Sequence, residues 1–297
     1  MAELVVAIFG PTASGKTAVA EETACRIPAE LVSADAMQVY RGLPILTNRS
    51  KHPTRLVGIL GLDEEGSVAE YQRLAHAAID EILAAGRTPV VVGGTGLYLR
   101  AALADLVLPP PPPPGARERL ERLYDELGGE RAHELLAETD PAAAAAVHPN
   151  DRRRVVRALE LAEAGSSLRS REDRLWSGET RHPTLIVGLD VPREELARRI
   201  EKRTRDMFER GVEDEVRRAL EGPVSATAAT IHGLRDVSEL SREEAIEVLT
   251  ARTRRYAAYQ RKWMRRIPGL VSIDGNRPPE EVAADIISLV GSVVPAG

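Results

Sequence analysis

The chain has 297 residues, 43% of them hydrophobic and 29% charged, with a formal net charge of −5. That is the make-up of one large or two modest globular domains. Cys25 is the only cysteine, which excludes an internal disulfide and a cysteine-based zinc site. No apolar run approaches a membrane span and no signal-type segment precedes the first strand, so a cytoplasmic protein without membrane association is expected.

In chain order, Leu4–Phe9 is an apolar run of strand length. It leads into Gly10-Pro11-Thr12-Ala13-Ser14-Gly15-Lys16-Thr17, which fits G-x-x-x-x-G-K-[ST], and a helix opening follows at Ala18–Ala24. Strand, glycine loop and helix together are the context that gives this pattern physical meaning. The glycines turn backbone N–H groups inward and the helix N-terminus adds partial positive charge. Lys16 supplies a full charge, and Thr17 a hydroxyl for Mg²⁺. The motif grips a di- or triphosphate without saying which. Glu30–Ala34 reads as a second strand and Leu56–Leu60 as a third, weakened by Gly58. A helix is predicted from Ser67 to Ala85, with Ser67 as cap, Glu70 at the capping-box position and Gly86 as its end. Pro89–Gly93 is an apolar strand followed by Gly94-Thr95-Gly96. Apolar strands alternating with helices predict an α/β domain whose parallel sheet is covered on both faces, with ligands beyond the C-terminal strand ends.

The alternation stops at the proline run Pro109–Pro114, which reads as a boundary. Only helical patterns follow, at Arg117–Leu127, Gly129–Glu138, Pro141–Val147 and Asp151–Ala164. They predict an all-helical insertion over residues 110–182 between core segments 1–109 and 183–297. Sheet character returns at Thr184–Leu189. A helix is predicted over Arg193–Leu220, interrupted near Gly211, then another over Ser241–Ile267, a strand at Leu270–Asp274 and a closing helix at Pro278–Val290.

Asp35, just past a strand, suits a general base, a metal ligand through water or a helix cap. A P-loop hydrolase carries an acidic residue at the end of a second buried strand, yet Val90-Val91-Val92 runs into Gly93-Gly94-Thr95. The loop therefore lacks an obvious hydrolysis partner. Arg152, Arg153, Arg154 and Arg157 open a helix against its dipole. They are a solvated face or an anion-binding one, the nearest acids on that helix, Glu160 and Glu163, lying at its far end. On the Arg193–Leu220 helix one basic side chain facing the loop would clamp a pyrophosphate. Arg252, Arg254, Arg255, Arg261, Lys262, Arg265 and Arg266, interleaved with Tyr256, Tyr259 and Trp263, fit either a nucleic-acid surface or a helix that packs its aromatics inward. Two classes of function remain, a P-loop kinase or NTPase acting on a small molecule, and an enzyme using the loop for a departing pyrophosphate while working on nucleic acid. The missing carboxylate and the basic clusters favour the second.

The motifs GPTASGKT, SADAMQVYRG at Ser33–Gly42, VVGGTGLYL at Val91–Leu99, HPNDRRRVVRALE at His148–Glu160 and TRRYA…Q…W at Thr253–Trp263, in this order, closely resemble the tRNA dimethylallyltransferases over nearly the whole chain. The resemblance implies an α/β core of P-loop kinase type and a monomer that transfers dimethylallyl from dimethylallyl diphosphate to N6 of the adenosine 3′ to the anticodon in tRNA, at position 37, with Mg²⁺. It implies that Gly10, Thr12, Ala13, Ser14, Gly15, Lys16, Thr17 and Arg203 bind the diphosphate, Thr17 also facing the metal. Asp35 would be the catalytic base and Thr95 would contact the target adenosine. Asp35, Ala36, Met37, Gln38, Thr95, Arg117, Arg153, Arg154, Val155, Val156, Arg157 and the stretch Thr230, Ile231, His232, Gly233, Leu234, Arg235 would contact tRNA. This chain departs from the family pattern at Gly42–Ser50, at Pro53–Leu56, at Gly233-Leu234 and at Ala257–Gln260.

Overall fold

A computed structural model describes residues 4–108, 115–168 and 174–293; the proline run falls outside them. The chain divides into two compact units, residues 1–105 with 178–297, and residues 106–177. The helical unit therefore ends earlier than the residue 182 expected from sequence. Arg181 and His182 belong to the larger unit because the carboxylate of Asp80 binds both, at 2.9 and 2.8 Å, and the Arg181 amide donates to Leu103 at 2.8 Å.

In the larger unit, β1 (Val5–Phe9), α1 (Lys16–Arg26), β2 (Ala29–Ser33), β3 (Thr54–Arg55), α2 (Val68–Ala84), β4 (Thr88–Gly93) and α3 (Gly96–Leu103) come first. The smaller unit holds α4 (Ala116–Leu127), α5 (Gly129–Thr139), α6 (Pro141–Ala144) and α7 (Arg152–Glu163). The larger unit resumes with β5 (Thr184–Asp190), α8 (Arg193–Glu209), α9 (Val212–Ala219), α10 (Leu234–Glu239), α11 (Arg242–Met264), β6 (Val271–Asp274) and α12 (Pro279–Val293). The strands form one six-stranded sheet ordered β3-β2-β4-β1-β5-β6, parallel throughout. Its centre is wholly buried: Val6, Ile8, Val90 and Val187 are 0% exposed and pack with Val19, Ala20, Val282 and Ile286 from α1 and α12. The helical unit has its own core of Leu120, Ala132, Leu136, Val155 and Ala158.

Local chemistry sets the joints. Gly211, at φ 83°, breaks the expected Arg193–Leu220 helix into α8 and α9. Ser241 and Glu244 form a reciprocal capping box at the start of α11. At α2 only half of such a box forms, because the Glu70 carboxylate turns to Arg73 instead. The strand expected at Leu56–Leu60 is not there. β3 stops at Arg55, and Leu56 (φ 63°) and Gly58 (φ 64°) turn the chain away, leaving a single bridge from Leu60 to Tyr40. An apolar run interrupted by a left-handed pair cannot continue a ladder. Among the described residues no helix is long and apolar enough to cross a membrane.

Registers Phe9↔Gly93, Val6↔Val90 and Ser33↔Val92 bring the C-terminal ends of β1, β2 and β4 together at one edge. The tightest approach there is at Gly93, where an added Cβ would fall 2.0 Å from the backbone oxygen of Ala34. Backbone cannot yield as a side-chain tip can. Gly93→Ala should cost ~1–3 kcal/mol of stability, as overpacking does; a shift of the urea midpoint without a change of slope is the check.

Candidate active site

The loop from Gly10 to Gly15 curls between β1 and α1, with Ala13 and Gly15 both left-handed at φ 64° and 89°. A non-glycine residue in that region is held there by its surroundings. Thr12 and Ser14 are buried, and the Ser14 hydroxyl has no hydrogen-bond partner. The Lys16 ammonium lies 3.4 Å from the Pro11 oxygen. Its pKa is pulled down to about 8, chiefly by burial; Asp35 opposes the shift and Arg203 adds to it. Arg203 reaches in from α8 and donates to the Thr12 hydroxyl at 3.0 Å. Burial takes its pKa down to about 10, against the pull of Asp35 and with repulsion from Arg210. Two desolvated cations thus share one cradle, an arrangement that favours an anion.

Asp35 follows β2. Its Oδ1 accepts from the Met37 amide at 2.9 Å, so the carboxylate caps a turn without starting a regular helix. The next amide, Ala36, donates to the Thr95 hydroxyl at 3.3 Å, and that hydroxyl lies 3.4 Å from the Tyr256 hydroxyl. Gln38 accepts from Ser33 Oγ and donates to the Thr47 oxygen, each at 3.2 Å. Cradle and carboxylate open onto the same cavity of about 310 Å³, whose wall includes Thr12, Lys16, Thr17, Asp35, Gln38, Thr47, Arg203, His232, Tyr256 and Gln260. Arg49 also lines it, with a buried Nη2 that makes no hydrogen bond.

α11 decides the open question about its aromatics. Tyr256 faces the cavity, its ring 4.6 Å from that of His232. Its pKa is pushed up to about 12, mainly by burial with Asp35 adding, so it remains a neutral donor. Burial, then Arg252, holds His232 below the usual imidazole value against Asp35 and Asp236. Trp263 lies against Gly96, where a Cβ would strike its ring at 2.1 Å. These two aromatics build the site from within, and only Tyr259 is exposed, at 54%. Three of the basic residues are paired inside the fold: Arg252 with Asp236 (2.8 Å), Arg254 with Glu201 (3.1 Å) and Arg261 with Asp190 (3.1 Å). Gln260, buried at 3%, went unremarked as a site residue in the sequence; it bonds the Thr12 amide and the Gly94 oxygen. Its signals in the sequence are the Q of the TRRYA…Q…W pattern and a long uncharged polar residue in a helix otherwise patterned by charge.

The family model described as IPP transferase matches residues 38–267. The tRNA dimethylallyltransferase of Anaeromyxobacter sp. (strain K) is 42% identical over 296 residues, which spans 94% of this chain and 95% of that protein. The chain belongs to the IPP transferase family. The tRNA dimethylallyltransferase of Corynebacterium jeikeium is 37% identical over 96% of each chain. The crystal structure of a full-length tRNA isopentenylpyrophosphate transferase from Bacillus halodurans matches with a TM-score of 0.70 and 32% identity, over 98% of this chain and 97% of that one. A eukaryotic dimethylallyltransferase captured acting on tRNA matches with a TM-score of 0.73 at 25% identity, over 92% and 74%.

The remaining residues expected from the sequence are placed unevenly in this IPP transferase. In the helical unit, Arg117 binds the buried Glu160 through two hydrogen bonds (2.8 and 3.2 Å) and Arg157 binds it at 2.9 Å. Burial would raise the Glu160 pKa, but the two arginines outweigh it and hold it below the usual value. Arg152 is held by Asp125 at 2.7 Å. The first turns of α7 are therefore less positive than the helix alone suggests: its charge is met from α4, and Glu160 reaches back to Arg157. Arg153 and Arg154 are exposed, while Val155 and Val156 are buried at 0% and 3% and pack the unit's core. Of the stretch Thr230–Arg235, Ile231 and Leu234 are buried, Gly233 turns at φ 92°, His232 faces the cavity, and Thr230 and Arg235 are exposed.

The Lys16 ammonium gives the cradle a pH signature. Empty, it loses its proton as pH rises through about 8; a bound anion restores the charge, so binding takes up a proton above that pH. Affinity for inorganic diphosphate should fall by up to tenfold per pH unit from about pH 8 upward. Titration calorimetry in buffers of different ionisation enthalpy reads the proton directly, and Lys16→Met should abolish the uptake.

Proposed function

We propose that this IPP transferase moves a dimethylallyl group from dimethylallyl diphosphate to N6 of the adenosine 3′ to the anticodon, position 37 of tRNA, and releases diphosphate. The observation that carries this reading is a phosphate cradle and a lone carboxylate, Asp35, facing one cavity, with no hydrolytic carboxylate at the end of β4, which finishes in Gly93. β5 does end in an acid, Asp190, but that side chain is engaged by Arg261 and is not part of the cavity wall.

The chemistry is a displacement at the allylic carbon. The N6–C1 bond forms as the C1–O bond to diphosphate breaks, and the amine proton passes to the Asp35 carboxylate. The loop amides, Lys16 and Arg203 meet the charge that grows on the departing diphosphate. Thr95, already bonded to Ala36 and beside Tyr256, presents a hydroxyl next to the base where an adenine edge would be read. The target nucleotide must leave its stack to reach this depth. Asp35 to Gln38, Arg117, Arg153 to Arg157 and Thr230 to Arg235 then form the tRNA-facing stretches, with the side chains at Val155, Val156, Ile231 and Leu234 serving packing.

Among the described residues no cluster of His, Cys, Asp or Glu could hold a metal ion alone. Mg²⁺ suits such a site, because it keeps most of its waters and is held by one or two protein groups plus substrate phosphates. The Thr17 hydroxyl on the cavity wall is the group that would hold it. Bound there, the ion would neutralise diphosphate charge.

Incubating the chain with Mg²⁺, tRNA and dimethylallyl diphosphate should yield isopentenyladenosine on digestion of the RNA, whereas ATP without a prenyl donor should give no phosphorylated product. Asp35→Ala should lower kcat ~10²–10⁴-fold, as loss of a general base does, with tRNA affinity largely kept; near-normal turnover removes Asp35 from its role. In the helical unit, Arg153→Ala with Arg154→Ala should lower the slope of log affinity for tRNA against log salt by about one to two, one for each phosphate left without its arginine. An unchanged slope assigns both to a solvated face.

A further inference from the structure

We propose that Gln260 is the positioning residue that fixes the diphosphate cradle and the acceptor side of the cavity at their working separation. The inference rests on the prenyl-transfer reading above and assigns a role to a side chain through its two bonds to the protein backbone.

The β1–β4 ladder couples the two halves of the site only as far as Phe9↔Gly93. Beyond that pair the chains part, one into the phosphate loop and the other into the Gly94-Thr95 turn. Gln260 supplies the next rung with a side chain. Its Oε1 accepts from the Thr12 amide at 2.7 Å, and its Nε2 donates to the Gly94 oxygen at 2.8 Å. Each end then carries one half of the chemistry. Thr12 holds Arg203 through its hydroxyl. Thr95, next to Gly94, holds the Ala36 amide beside Asp35. One buried carboxamide thus lies between the group that steadies the departing oxygen and the group that receives the incoming proton.

The fit is specific to an amide. A Cβ at Gly94 would fall 2.3 Å from Gln260 Nε2 and 3.0 Å from the Gly10 oxygen, so the turn is bare where the carboxamide meets it. The site asks for one acceptor and one donor on a planar group. Glutamate would set an acceptor against the Gly94 oxygen and a negative charge beside the cradle; methionine offers neither bond at similar size. Each substrate is gripped by groups of its own loop, while in-line displacement depends on the distance between loops. A misplacement of about 1 Å can cost 10²-fold in rate, so the defect belongs in kcat.

The test compares Gln260→Met with Met264→Ala, a buried residue one turn further along α11 and outside the cavity wall. In Gln260→Met, kcat for tRNA prenylation should fall about 100-fold while KM for each substrate stays within about threefold. Gln260→Glu should in addition raise KM for dimethylallyl diphosphate. Met264→Ala should lose comparable thermal stability and keep kcat. Amide hydrogen exchange supplies a readout that needs no turnover: the segments 10–17 and 94–98 should exchange faster together in Gln260→Met and remain protected in Met264→Ala. A near-normal kcat in Gln260→Met, a change confined to KM, or unchanged exchange in both segments overturns the proposal. A wild-type chain that prenylates nothing refutes the transfer reading instead, and the exchange experiment alone then decides the role of Gln260.

Discussion

The site depends on an unbalanced charge partly withdrawn from water. Lys16 and Arg203 lose hydration at the mouth of one loop, and burial is the largest influence on each, lowering both pKa values. Asp35 is the carboxylate on the same wall, and its field reaches both cations and the two aromatic neighbours His232 and Tyr256. Placing two cations against one carboxylate in a low-dielectric hollow is unfavourable in the empty protein. The imbalance is relieved when a multiply charged anion enters, and relieved further where negative charge grows on that anion during a reaction. Electrostatic strain of this kind is worth retaining only where an anion is bound or made.

The fold puts these groups together with little machinery. A parallel sheet ends all its strands on one side, so loops far apart in the chain become neighbours at that edge. Bare positions let them close up. Gly93 admits the backbone of Ala34, Gly94 the amide of Gln260 and Gly96 the ring of Trp263. These close approaches along one turn bring β2, the phosphate loop and α11 to the same few ångströms. The cavity is therefore an outcome of backbone approach as much as of side-chain chemistry.

What could be read from the sequence was what is encoded locally. The phosphate loop needs only its own spacing and its flanking strand and helix, and Asp35 needs only the end of a strand. The break at Gly211 and the box at Ser241–Glu244 are likewise short-range. What could not be read lies in long-range pairing. Asp125 meets Arg152 across 27 positions, so the charge pattern of α7 alone overstated its open positive face. Gln260 meets Thr12 across 248 positions, and nothing near it announces a partner. Leu56–Leu60 failed for a different reason: its apolar residues suit a strand, but Leu56 and Gly58 adopt left-handed backbone, which composition does not reveal.

The same pairing explains how a chain of net charge −5 can carry arginine clusters without being a generally basic protein. Much of that positive charge is used internally. Arg252, Arg254 and Arg261 tie α11 to α10, α8 and the end of β5, and Arg117 and Arg157 converge on Glu160. These residues set geometry, and their field outside the protein is largely cancelled by their partners. The cations that keep their field are fewer and better placed to discriminate, such as Arg153 at the head of α7 and Arg255, Lys262 and Arg265 along α11, all exposed. A polyanion attracted by a few separated charges over an acidic background is bound where its phosphates match their positions, which favours recognition by shape over indiscriminate adhesion.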